Sequence, residues 1–119
     1  MAQFDVVENR NSDTRHQVPY LLVLQADLFG DLATCVVAPL VPVSKYGPRL
    51  DWLNPSILID DAEFVVSTTE LAGVPISILG NRVHSAANQR GEVIAALDFL
   101  FTGSQTNPSP QLFHNSWPL

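Results

Sequence analysis

Thr68-Thr69-Glu70-Leu71-Ala72-Gly73-Val74-Pro75-Ile76-Ser77-Ile78-Leu79-Gly80 is the stretch from which the rest of the chain is best approached. Thr69 is placed to cap a short turn over Leu71 and Ala72. Residues 74–79 then form an apolar run, with Gly80 as its stop. Immediately upstream, residues 56–59 and 63–67 flank Asp60-Asp61-Ala62, which is a hairpin signal. Ile57 with Ile59, and Phe64 with Val66, alternate as half-buried strands do. Downstream the period changes to that of a helix over residues 86–101, with Ser85 as N-cap and Gly103 just past the end. At about 100° per residue, Ala86, Val93, Leu97 and Leu100 line up as a stripe that docks on the sheet, with Ile94 and Phe101 at one shoulder and Ala96 at the other. The opposite face carries Asn88, Gly91, Ala95, Asp98, Phe99 and Thr102, small and weakly charged for a solvated surface. Gly91 costs the helix roughly 1 kcal/mol against Ala. Either that face is tolerant surface, or a partner approaches it closely.

The N-terminal half is β-rich. Residues 3–8 read as a strand with Phe4 and Val6 on one face, followed by a polar loop over 9–17. Residues 20–26 are apolar almost throughout and read as a strand buried on both faces. After a turn around Gly30-Asp31, residues 33–43 are β-branched and apolar, but Pro39 and Pro42 each remove a backbone donor. The second half of that segment is therefore expected to be an edge or bulged strand, and residues 44–55 a loop. Beyond Gly103 the composition shifts, with three prolines and no charged residue in residues 104–119. This extension is expected to be mobile or packed back on the domain formed by residues 1–103.

Composition sets bounds. At 119 residues and 46% apolar the chain is one globular domain's worth of sequence. No apolar run reaches the length of a membrane-spanning helix, and residues 1–10 lack the basic-then-apolar order of a secretory signal. With Cys35 as the lone cysteine, a reducing cytoplasm is the expected compartment. Twelve acids face six bases, for a net charge of −6. The bases (Arg10, Arg15, Lys45, Arg49, Arg82, Arg90) are scattered along the chain with no run that would form a groove. Direct binding of nucleic acid is disfavoured, because phosphate neutralisation supplies most of that affinity. A protein partner is expected instead.

Catalytic and metal chemistry leave little trace. His16, His84, His114 and Cys35 show none of the pair spacings of zinc sites. There is no phosphate-cradling glycine loop and no Gly-x-Ser-x-Gly elbow. The Asp60-Asp61 pair reads as a solvated turn. No cofactor is called for.

Several strings together are similar to the CcdB family of addiction toxins: Gln3-Phe4, Gln25-Ala26-Asp27-Leu28, Val37-Ala38-Pro39-Leu40, the opening Thr68–Gly80 segment, and a terminal helix ending in Phe101-Thr102-Gly103. The match keeps the family's order and spacing from Gln3 to Gly103, and the Thr-Thr…Ala…Val-Pro…Gly string is its most specific part. The resemblance implies a mainly β fold, a small Src-homology-3-like barrel (CcdB/MazF-like) with a C-terminal α-helix. It also implies a homodimeric toxin that binds the A subunit of DNA gyrase and traps the cleaved-DNA complex, without itself being an enzyme. A cognate antitoxin neutralises it, and the pair represses its own operon. Matched by position, the family's gyrase contacts fall on Arg90, Gly91, Ala95, Thr102, Gly103 and Ser104. The family's reference toxin has an acid and two amides on the helix and ends in Trp-Gly-Ile, so only Gly103 keeps its type. Trp117-Pro118-Leu119 offers an aromatic-then-aliphatic end further on, as a self-cap, a re-sited contact or a bystander.

Two further surfaces follow. The dimer is expected to pair near Leu100 and Phe101. The antitoxin is expected along the proline-interrupted edge and the following loop, at Pro42 and Trp52, with a buried loop anchor as the alternative role for Trp52. Two other functions remain open. One is a MazF-like endoribonuclease, for which Arg15, Arg49 and Arg82 would have to converge to stabilise a pentacoordinate phosphate. The other is an inactive antitoxin-binding relic on the same fold.

Overall fold

The computed structural model describes residues 1–27 and 32–103; the expected turn at Gly30-Asp31 and the extension 104–119, with Ser104, His114 and Trp117-Pro118-Leu119, lie outside the described residues. Among the described residues seven strands precede one α-helix: β1 (Asp5–Asn9), β2 (Tyr20–Val23), β3 (Thr34–Pro42), β4 (Ser56–Ile59), β5 (Ala62–Val66), β6 (Ala72–Pro75), β7 (Leu79–Ser85) and α1 (Arg90–Thr102). All pairings are antiparallel. The strand order is β4-β5-β3-β2-β1-β7, with β6 also paired to β3. The sheet curls into a half-barrel closed by the helix, so the fold is mainly β, a small Src-homology-3-like barrel with a C-terminal helix.

Successive residues of a strand point to opposite faces, and the central strands bury both. Val6, Leu22, Ala38, Leu40, Ile57, Ile59, Phe64 and Val66 form the inner core, covered by Ala86 and Val93 of the C-terminal segment. Val7, Leu21, Val23, Cys35, Val37 and Leu79 form a second cluster on the outer face, packed by Val18, Val74 and Ile78. This is why residues 20–24 are apolar without a polar alternate. The Asp60-Asp61 turn takes positive φ at both residues (49° and 67°), as a two-residue primed hairpin turn requires.

Three expectations are corrected. The segment expected to end as an edge is the central strand: β3 pairs β2 along one side, and β6 then β5 along the other. Leu24 N donates to Val36 O at 3.0 Å, so the even-numbered residues of β3 bond towards β2, while the Pro39 carbonyl accepts from Ser67 N at 2.9 Å on the opposite side. The missing Pro39 donor falls where β3 changes partner between Ala72 and Val66, and Pro42 is the last residue of the strand. Neither proline interrupts a ladder. The helix begins later than residue 86, at Arg90, after a 3-10 turn at Ala87–Gln89; Ser85 is not its N-cap, a position taken by Gln89, and its Oγ accepts instead from Ala87 N at 3.3 Å ahead of the 3-10 turn. Gly80 does not stop a strand but lies inside β7. A Cβ there would stand 2.8 Å from the Glu8 Cβ and 3.0 Å from the Glu8 carbonyl oxygen.

The last contact gives a test of the β1–β7 seam. Gly80→Ala pushes against backbone, which cannot rotate away, and is expected to cost about 1–3 kcal/mol. A urea melt should show a lowered midpoint with an unchanged slope.

Candidate partner-binding surfaces

The C-terminal helix is fastened at its start. Ala86 N donates to Phe4 O at 2.9 Å, and the Gln89 amide donates to Ser56 O at 2.8 Å, joining the helix entry to the residue before β1 and to β4. Arg90 opens α1 with its guanidinium 5.6 Å from the centre of the Phe4 ring, a cation–π contact. Val93 and Ala96 are buried, and Ile94 and Leu97 pack against the inner core. At the other end Gly103 takes φ 69°, and its N–H closes on the Phe99 carbonyl at 2.9 Å, a left-handed cap.

The positions matched to gyrase contacts are brought together in part. Gly91, Ala95 and Thr102 share one strip of the helix, with Arg90 at its shoulder. Arg90, Gly91 and Thr102 are exposed, Ala95 and Gly103 half-buried. A Cβ on Gly91 would meet nothing within 4 Å. Nothing among the described residues therefore demands glycine there. The docking stripe differs from expectation at its C-terminal end: Phe101 is 70% exposed rather than shouldered on the sheet, while Leu100 is half-buried. Phe99, expected on the solvent face, is half-buried, with its ring centre 6.2 Å from that of Trp52.

Trp52 is not a buried anchor. It is 65% exposed, and its loop is held from behind by Asn54. The Asn54 amide donates to Val66 O at 3.2 Å and to the Tyr46 hydroxyl at 3.3 Å, while its carbonyl accepts from Leu50 N at 3.4 Å. Thr68 donates to the Leu53 carbonyl from the opposite side. Two buried polar residues thus fix a loop whose apolar members, Leu50 and Trp52, face out. Pro42 is half-buried at the end of β3 and pairs with Phe64; the edge that was to make it a docking site is absent.

The three arginines of the ribonuclease alternative do not form a free cluster. Arg49 lies 3.6 Å from Glu63 and 3.9 Å from Asp51, and Arg82 lies 3.5 Å from the buried Asp5. Arg15 sits instead beside Arg10 and His16. Cys35 is buried, and that burial pushes its thiol pKa up. Among the described residues no group of His, Cys, Asp and Glu could hold a metal ion, and no helix is long and apolar enough to cross a membrane.

Asn54→Ala leaves the Val66 carbonyl without the amide that serves it, and should cost about 1–3 kcal/mol while freeing the Trp52 loop. Thermal melting reads the first effect, and increased quenching of tryptophan fluorescence by acrylamide the second.

A comparison with curated proteins finds no match. The family model described as CcdB protein matches residues 3–103, which is all of the barrel and all of the helix. The chain belongs to the CcdB family, the toxins of toxin–antitoxin pairs that act on DNA gyrase.

Proposed function

We propose that this chain is a homodimeric toxin that binds the A subunit of DNA gyrase through the outer face of α1 and traps the cleaved-DNA complex without catalysing a reaction of its own. Residues 1–103 form the toxin domain and residues 104–119 an extension to it. The contacts are Arg90, Gly91, Ala95, Thr102, Gly103 and Ser104. Gly91 carries the reading: it gives up helix propensity in the first turn of α1, its missing side chain relieves no contact among the described residues, and it lies on the strip that the family resemblance matches to gyrase. A surface that gives up stability without an internal reason is suited to close approach by a partner. The twofold contact falls at Leu100 and Phe101, since so exposed a phenylalanine at a helix end is suited to burial against a second copy. A cognate antitoxin covers the side that displays the exposed Trp52, and the toxin works in the cytoplasm.

Capture of the gyrase A subunit tests the target. Gly91→Ala should raise stability by about 0.5 kcal/mol and lower capture, a pairing that tolerant surface would not produce. Deleting residues 104–119 separates the roles of the extension: lost capture in a stable protein assigns it a contact, lost stability a cap, and no change a bystander. Induced expression should arrest growth with cleaved DNA. Arrest with cleaved mRNA would favour the nuclease, and no arrest the relic.

The antitoxin surface is tested at Trp52. Because the side chain is mostly exposed, Trp52→Ala should leave stability within about 0.5 kcal/mol. Antitoxin affinity should fall by about 2 kcal/mol or more, as loss of an aromatic anchor does. Calorimetric titration of antitoxin into each variant measures it.

A further inference from the structure

We infer that the open mouth of the half-barrel is a docking site for an acidic peptide segment of a protein partner, gripped by Arg10, Arg15 and His16. It uses none of the residues assigned to gyrase, antitoxin or dimer, and so goes beyond the function proposed above. Glu8 is paired with Tyr20, and the direction of a Cβ on Gly80 points at Glu8, so these three positions share one face of the sheet. Two residues earlier on β1, that same face buries Val6 in the inner core. Past Glu8 and Tyr20 the core gives way to an open cleft of about 450 Å³, lined also by Arg10, Arg15 and His16.

The cleft is built rather than incidental. Gly80 leaves room for Arg10 to lie across β7, with the Arg10 Nε 3.2 Å from where a Cβ would be. The turn that carries Arg15 and His16 is braced by the buried Asn9, whose amide donates to Thr14 Oγ1 at 3.0 Å and to Val18 O at 2.8 Å; Arg15 N closes on Asn11 O at 2.9 Å. Among the described residues the ion pairs belong to Arg49 and Arg82, and neither Arg10 nor Arg15 has one. In a chain with twelve acids to six bases, a cleft lined by two unpaired arginines against one acid, Glu8, is a local reversal of charge. The Glu8 carboxylate in the same cleft accepts instead from Asn81 N at 3.3 Å.

Carboxylates match the guanidinium fork, and two arginines match a segment bearing two or so acidic side chains. A polynucleotide needs a longer cationic track, and the net charge of −6 opposes it. The braced turn lowers the ordering cost of binding.

Fluorescence anisotropy of a labelled oligoglutamate peptide with the full chain at low salt tests the site. The expected result is binding that weakens with salt and falls about tenfold in Arg10→Gln/Arg15→Gln, with Lys45→Gln unchanged as the control for net charge. Arg15→Gln alone, on an exposed turn, should lose part of the affinity and guards against misfolding through the Arg10 packing. Absence of binding to the unaltered chain, equal binding by the double variant, or tighter binding of oligouridylate than of oligoglutamate would overturn the proposal.

Discussion

A strand offers two hydrogen-bonding edges, and β3 gives one to β2 while dividing the other between β6 and β5. That division places every other element. Because β6 and β5 share a single edge, the chain between them must leave the sheet and return, and the 3-10 turn at Thr68–Glu70 does so. The Thr68 hydroxyl at that turn also reaches the Leu53 carbonyl, so the exit from the sheet and the Trp52 loop are fixed together. Proline, usually an argument against a central strand, is tolerated in β3 because the donor it lacks lies in the gap between the two partners.

The legible part of the fold was that set by periodicity. Alternation in Ile57 and Ile59 and continuous apolarity in residues 20–23 correspond to one-sided and two-sided burial in the structure, while β5 departs from the first pattern because Val65 is buried as well as Phe64 and Val66. What periodicity missed was set by long-range geometry. No local signal shows that Pro39 faces a gap, since that depends on strands thirty residues onward. Strand β7 was hidden by its exposure pattern: Asn81, Arg82 and Val83 all face solvent at the sheet's margin, and Gly80 looked like an end when it was a close approach to Glu8. The site was legible as a helix face, by counting. The pairing of Phe99 with Trp52 and the support from Asn54 join residues distant in sequence, and so do the shared positions of Arg10, Arg15 and His16 around one cleft.

The surfaces follow a division of labour common in small β-domains, in which a rigid sheet carries variable loops and one helix face. Of the six bases, Arg49 and Arg82 serve nearby carboxylates and Arg90 leans on Phe4. The first two pairs tie loops and strands together at modest gain, since at least one member of each is solvated. Asn54 does more, because each of its bonds is partly or wholly withdrawn from water.

The β1–β7 seam also fixes the order in which the molecule can be assembled. Asp5 pairs with Ser85, and Glu8 accepts from Asn81 across 73 residues of sequence. On a ribosome, which delivers the chain from its N-terminus, β1 and β2 can form their hairpin early, but one edge of β1 stays bare until β7 has left the exit tunnel. The helix that carries the proposed toxic surface emerges later still, and its entry is anchored to Phe4, at the opposite end of the chain. Closure therefore waits on contacts of very long sequence separation, the kind that slows folding. A nascent toxin of this architecture displays its helix in place only after the barrel beneath it is complete, which leaves an interval in which a partner can meet it before it is armed.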